Sequence, residues 1–235
     1  MAEGGWRHAD RVSWRGVRDG FRGMAPLAMF VIPFGIAFGA AAIDKGISPA
    51  LALLMSALVF AGASQFSALD LWTSPLVIIP ILLTTFAVNA RHLLLGAALY
   101  PWLSAYPPRQ RFAIVALLSD PNWALATKAY ESGERDAGFL LGSGIILWIV
   151  WLVGTAIGAL VGSDLGDLSR YGFDVLITVY FLTILISLWR GHDDVLPWLA
   201  AAGAAVIAAH LLTPGWYVVV GGLTGGIVGA LRHDR

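Results

Sequence analysis

The sequence predicts an all-α integral membrane protein, a polytopic helix bundle of seven to eight transmembrane segments with proline-broken helices. Three observations lead there. Of 235 residues, 58% are hydrophobic and 13% charged, where a soluble domain carries about 25% charged residues, and the mean hydropathy is +0.75. Apolar runs fall at 24–43, 49–69, 74–103, 111–127, 138–162, 173–189, 195–212 and 215–231, against the roughly 20 apolar residues that a membrane-crossing helix needs. Pro26, Pro33, Pro80 and Pro121 interrupt these runs, and proline removes a backbone donor and disfavours helical geometry in the residue before it.

Ahead of the first run, residues 1–23 are polar and lack the short apolar core of a cleaved signal peptide, so they read as part of the mature chain. Arg7, Arg11, Arg15, Arg18 and Arg22 recur every three or four positions, beside Trp14, Val17 and Phe21. Either an amphipathic helix on the membrane surface or an irregular basic tail satisfies that pattern. In both cases the charge places the N-terminus in the cytoplasm. The remainder, 24–235, forms a single transmembrane domain.

Positive charge on the later loops mostly agrees. In an eight-pass path Lys128 with Arg135, Arg190, and Arg232 with Arg235 fall inside, while Asp164 and Asp167 lie outside with Arg170. Arg109 and Arg111 break the rule by falling outside. The stretch 74–127 is therefore expected to contain a re-entrant or broken helix rather than two plain passes.

Trp72, Trp102, Trp189, Trp198 and Trp216 stand near run ends, where indole favours the headgroup region. Gly35 with Gly39, Gly154 with Gly158 and Gly162, and Gly221 with Gly225 and Gly229 repeat at four-residue intervals, a spacing that lets helix backbones approach closely. A duplicated architecture of the kind transporters use is compatible with these pairs. Without cysteine, disulfides and thiolate sites are excluded. Net charge is zero, and with no basic patch beyond the N-terminal stripe nucleic acid is not expected as a partner. Neither a cofactor nor a metal site is expected.

Three polar clusters interrupt the apolar runs. In GASQF (62–66), Gln65 brings an amide, with Ser64 beside it, into a segment otherwise without strongly polar side chains. In NARH (89–92), Asn89 donates and accepts, Arg91 offers a donor fork suited to a carboxylate, and His92 can change charge near neutral pH. In SDPN (119–122), Pro121 should unwind the chain at Asp120, leaving carbonyls, one carboxylate and the Asn122 amide facing inward. Each has a bland reading: Ser64 and Gln65 bonded to a neighbouring helix, Arg91 snorkelling to the interface, and an Arg91–Asp120 pair that only holds helices together. One base, one acid and several amides suit a zwitterion better than a simple ion.

GASQF, NARHLLLGAALYP (89–101) and SDPNWAL (119–125), preceded by PFGIAFG (33–39), resemble the AzlC family of bacterial inner-membrane permease subunits, over about residues 15–235. The resemblance implies export of branched-chain amino acids (leucine, isoleucine, valine, with methionine close in size) together with a small multipass AzlD-type subunit. It carries over Gln65, Asn89, Arg91, His92 and Asp120. The family commonly has an acid directly after the Asp of the third motif, where this chain has Pro121, so a two-carboxylate role does not transfer. The chain has no GxxxxGK[ST] motif for ATP, and a proton-coupled mechanism is expected. Arg91 and Asn89 would bind the substrate carboxylate, Gln65 and the broken backbone near Asp120 its ammonium, with Ser64 and Asn122 also in the substrate site, and His92 or Asp120 would carry the proton. Competing classes are a channel or structural subunit, whose polar clusters merely glue helices, and an intramembrane serine hydrolase using Ser64 with His210.

Overall fold

The computed structural model describes residues 12–76, 78–165, 191–212 and 216–233, with single positions between 175 and 189. The expected run 173–189 lies outside the described residues but for those positions, as do Arg7, Arg11, Asp167, Arg170, Arg190 and Arg235. Every regular element among the described residues is helical. Four are long and apolar enough to cross a membrane, Trp14–Asp44, Ile78–Leu103, Gly138–Val161 and His192–Leu211, and Pro49–Val59 and Val219–Arg232 are shorter.

Helix α1 (Trp14–Ala28) begins where the Ser13 hydroxyl accepts the Gly16 N–H, satisfying one of the donors left open at a helix start. A 3-10 turn, Met29–Val31, passes the chain into α2 (Ile32–Asp44). That distortion falls between Pro26 and Pro33, each of which withdraws a donor. The helix runs across position 23 without a break, burying Gly16, Val17 and Gly20 and leaving Arg15, Arg18 and Arg22 exposed.

The long α9 (Gly138–Leu165) lies parallel to this element, since its glycines meet α1 and α2 in ascending order. Backbone contact is close enough to require them: a Cβ on Gly142 would sit 1.9 Å from the Val17 carbonyl oxygen, and one on Gly39 2.2 Å from that of Thr155. Gly35 faces Gly154 in the same seam. The small-residue pairs of the first and fifth runs therefore pack on each other, which is how membrane helices gain dispersion contact when burial against lipid gains nothing.

Between them the second apolar run does not cross. Helix α3 (Pro49–Val59) has 11 residues, about 16 Å against a hydrocarbon core of about 30 Å. It stops at Phe60, whose φ is 40°, and α4 (Gly62–Asp70) turns back: Gln65 bonds Ser56, and Leu69 and Trp72 cluster with Ile47 and Ala52 at the start of α3. Helices α5 (Ile78–Asn89) and α6 (Arg91–Leu103) then return the chain to the side of the N-terminus. There Trp102 Nε1 and Tyr106 Oη donate to the Arg135 carbonyl, and the Val12 N–H donates to Gln110 at 3.1 Å.

A second re-entrant hairpin enters from this side. Helix α7 (Pro108–Ala116) rises, the chain unwinds over Leu117–Ser119, and α8 (Asp120–Glu131) descends until Tyr130 meets Trp102 with ring centroids 4.9 Å apart. Arg109 and Arg111 thus share the face of Val12 and Arg135, which removes the charge violation. The physical reason is parity: because 49–70 turns back, the following span exits on the N-terminal side. A hairpin over 108–131 falls largely in the stretch 74–127, where a re-entrant or broken helix was expected, and another precedes that stretch.

Helices α10 (Val195–Leu211) and α11 (Trp216–His233) form an antiparallel pair, with Gly221 against Ala205 and Gly225 against Ala201. Helix α11 also touches α5.

Candidate functional site

The two hairpin tips face one cavity of about 650 Å³, which α2, α6 and α9 help to line. At the α3–α4 tip the cavity is lined by Phe60, Ala61 and Gly62. Helix α4 has no side-chain cap, so the first-turn amides ahead of Gln65, whose N–H is the first to reach back to Ala61, have no intrahelical acceptor. The nearby carbonyls of Ala57 and Ala61 are already engaged, by Trp148 Nε1 and the Ser64 hydroxyl.

This tip is held to α9 by buried polar contacts. Trp151 Nε1 donates to Gln65 Oε1 at 3.1 Å, Gln65 Nε2 donates to Ser56 at 3.1 Å, and the Ser56 and Thr155 hydroxyls lie 2.9 Å apart. Gln65, Ser56 and Thr155 are fully buried, and Phe38 stacks on Trp151 at 5.9 Å with Phe66 edge-on to both. The Ser64 hydroxyl, with its single proton, lies 3.0 Å from the Ala61 carbonyl and 3.1 Å from Asn89 Oδ1.

At the α7–α8 tip, Pro121 occupies the first turn of α8, where its missing N–H costs nothing. Asn122 is fully buried and ties the tip to itself: Oδ1 accepts the Ser119 N–H at 2.7 Å and Nδ2 donates to the Leu117 carbonyl at 2.7 Å. Asp120 stays on the cavity wall, 3.1 Å from Arg91 Nη1. The Arg91 side chain is 25% exposed and that of Asp120 40%, so the pair is wet enough to exchange partners. Arg91 Nε is buried and has no hydrogen-bond partner among the described residues. His92 also lines the cavity, with Nδ1 3.2 Å from the Asn89 carbonyl.

Of the residues expected at the site, Arg91, His92 and Asp120 therefore line the cavity together. Ser64, Gln65, Asn89 and Asn122 do not; Ser64, Gln65 and Asn122 are buried and bonded within the protein, and half-buried Asn89 accepts from Ser64 through Oδ1. A buried amide must find partners, and the fold supplies them before any ligand does. Ser64 is buried at the α4 tip and His210 exposed on α10, with no hydrogen bond between them among the described residues. Sequence reasoning missed Lys128, Trp151, Phe34, Phe60 and Phe66, all cavity-lining. For Lys128 a signal existed, since Asp120, Ala124 and Lys128 share one helical face at four-residue spacing. No group of three or more metal-binding side chains occurs among the described residues.

Re-entrant hairpins that meet at a charged cavity inside a helix bundle are the construction of a membrane transport protein. The family profile described as AzlC protein matches residues 26–165, which span the first long helix through α9. The chain belongs to the AzlC family. It is 34% identical over 195 residues to an uncharacterized membrane protein of Archaeoglobus fulgidus, covering 80% of this chain and 81% of that one. It is 25% identical to the branched-chain amino acid transport protein AzlC of Bacillus subtilis, covering 90% and 85% of the two chains. To the inner membrane protein YgaZ of Escherichia coli it is 27% identical, covering 79% and 78%. No solved structure matches the chain.

Proposed function

We propose that this protein exports branched-chain amino acids across the bacterial cytoplasmic membrane, coupled to protons, with its N-terminus inside and a small AzlD-type multipass subunit as partner. The observation that carries the reading is the Arg91–Asp120 pair on the wall of an otherwise mostly apolar cavity. The Arg91 guanidinium on the cavity wall and the uncapped amides of α4 suit the substrate carboxylate. Asp120 suits its ammonium. Phe60, Phe66, Leu125, Leu147 and Trp151 suit a branched aliphatic side chain. Gln65, Ser64, Asn89 and Asn122 act from behind, holding the two tips in place. A substrate that separates Arg91 from Asp120 leaves the carboxylate free to take or lose a proton, with His92 beside it, and this is the step at which coupling would arise. Support for the side chain comes from the Bacillus subtilis relative's name.

The test is flux of radiolabelled leucine, isoleucine and valine in proteoliposomes, with and without a pH gradient and a co-purified small subunit. Flux that responds to the gradient is the expected result. No flux under any of these conditions removes the proposal.

A further inference from the structure

The charged side chains of the cavity, Arg91, Asp120 and Lys128, come from α6 and α8. Beyond the α3–α4 tip, Phe38, Ser56, Gln65 and Thr155 are buried, with Gln65 bonded to Trp151 and Ser56 and Ser56 to Thr155. Toward the N-terminal side the lining passes down one face of α8 through Asp120, Ala124 and Leu125 to Lys128. Lys128 lies two turns from Asp120, about 12 Å along the axis. It is exposed and belongs to the last turn of α8. Among the described residues no carboxylate lies within ion-pair distance of it, whereas Arg91 is already paired with Asp120. A lysine in the last turn is favoured by the helix dipole. That accounts for its place along the helix but not for its lying on the face that lines the cavity.

We infer that Lys128 is an outer carboxylate subsite. Resting on the amino-acid reading above, it assigns the cargo two stations: the carboxylate meets the unpaired ammonium of Lys128 at the mouth on the N-terminal side, then moves inward to displace Asp120 from Arg91. Such a residue sets how readily cargo loads and takes no part in the inner exchange. Its chemistry is that of a point charge, so arginine can replace it and glutamine cannot.

The experiment measures initial rates of leucine transport by the complete complex in proteoliposomes. Lys128→Gln should raise KM about fivefold, the worth of an ion pair near water, and leave kcat unchanged, while Lys128→Arg should keep the wild-type KM. Raising ionic strength should increase KM for wild type and not for Lys128→Gln. L-leucinol, which has the ammonium and side chain but no carboxylate, should compete equally against both. A working wild type with an unchanged KM in Lys128→Gln overturns the inference and spares the proposed function. Leucinol competition weakened as much as leucine transport also overturns it, by making Lys128 structural. A wild type that carries no leucine removes the proposed function itself.

Discussion

The two re-entrant hairpins reach the same cavity from opposite faces and are built in opposite ways. The α3–α4 tip is apolar and uncapped, turns through a left-handed Phe60, and is held from the side by Gln65, which bonds Trp151 of α9 and Ser56. The α7–α8 tip carries Asp120 and is held from within by Asn122, bonded to Ser119 and Leu117. Electrostatically they are complementary. Helix α4 presents its partial positive end without a countercharge, whereas Asp120 outweighs the partial charge of the α8 N-terminus. A zwitterion between them meets a positive and a negative wall, and Arg91, whose Ala90 junction lies between α5 and α6, links the two.

The comparison breaks most sharply at the charge pair. Arg91→Met should lower transport about 10- to 100-fold, the loss of a charge-assisted contact to the cargo. The double variant Arg91→Met/Asp120→Leu should regain thermal stability in detergent without regaining transport. Wild-type transport by the double variant would reduce the pair to helix glue.

The next effect lies in the lateral tie. Gln65→Leu strands Trp151 Nε1 and one contact of Ser56 in a buried setting, at a cost of about 2 to 3 kcal/mol. Thermal unfolding should register it, and hydrogen exchange should rise at the α3–α4 tip while the α7–α8 tip stays protected. Asn122→Ala should show the converse with a smaller loss of about 1 to 2 kcal/mol, its exchange confined to the α7–α8 tip. If either change loosened both tips alike, the two hairpins would not be independently held.

Gly62→Ala gives the smallest effect. A Cβ there would lie 2.9 Å from the Trp151 ring, so the indole must shift, at about 1 kcal/mol. Because both residues line the cavity, leucine KM should rise while kcat holds. An unchanged KM would mean that the α4 N-terminus does not touch the cargo.

Much of this site can be read from residues alone. The cost of Arg91 in an apolar run marks a cavity, and Arg109 with Arg111 betrays a span that fails to cross; Pro121 marks a break nearby, but the chain unwinds at Leu117–Ser119 and Asp120 is already helical, because a proline in the first turn fits a helix start. The break at Phe60 and Ala61 gives no such sign, because both residues are apolar and neither is proline or glycine. The roles of Gln65 and Asn122 were equally hidden. A buried amide announces that it needs partners, but only packing reveals whether those partners are protein or cargo.

By itself, then, the sequence determined a membrane helix bundle of the AzlC family, with polar clusters at GASQF, NARH and SDPN, since hydropathy and the penalty for buried charge are local properties. Tertiary structure alone decided that two of the apolar runs turn back, that Arg91 meets Asp120 while Gln65 and Asn122 are spent behind the wall, and that Lys128 lines the same cavity. Those outcomes depend on which donors and acceptors come within about 3 Å of one another, a matter of helix crossing and chain reversal that no local window of residues contains.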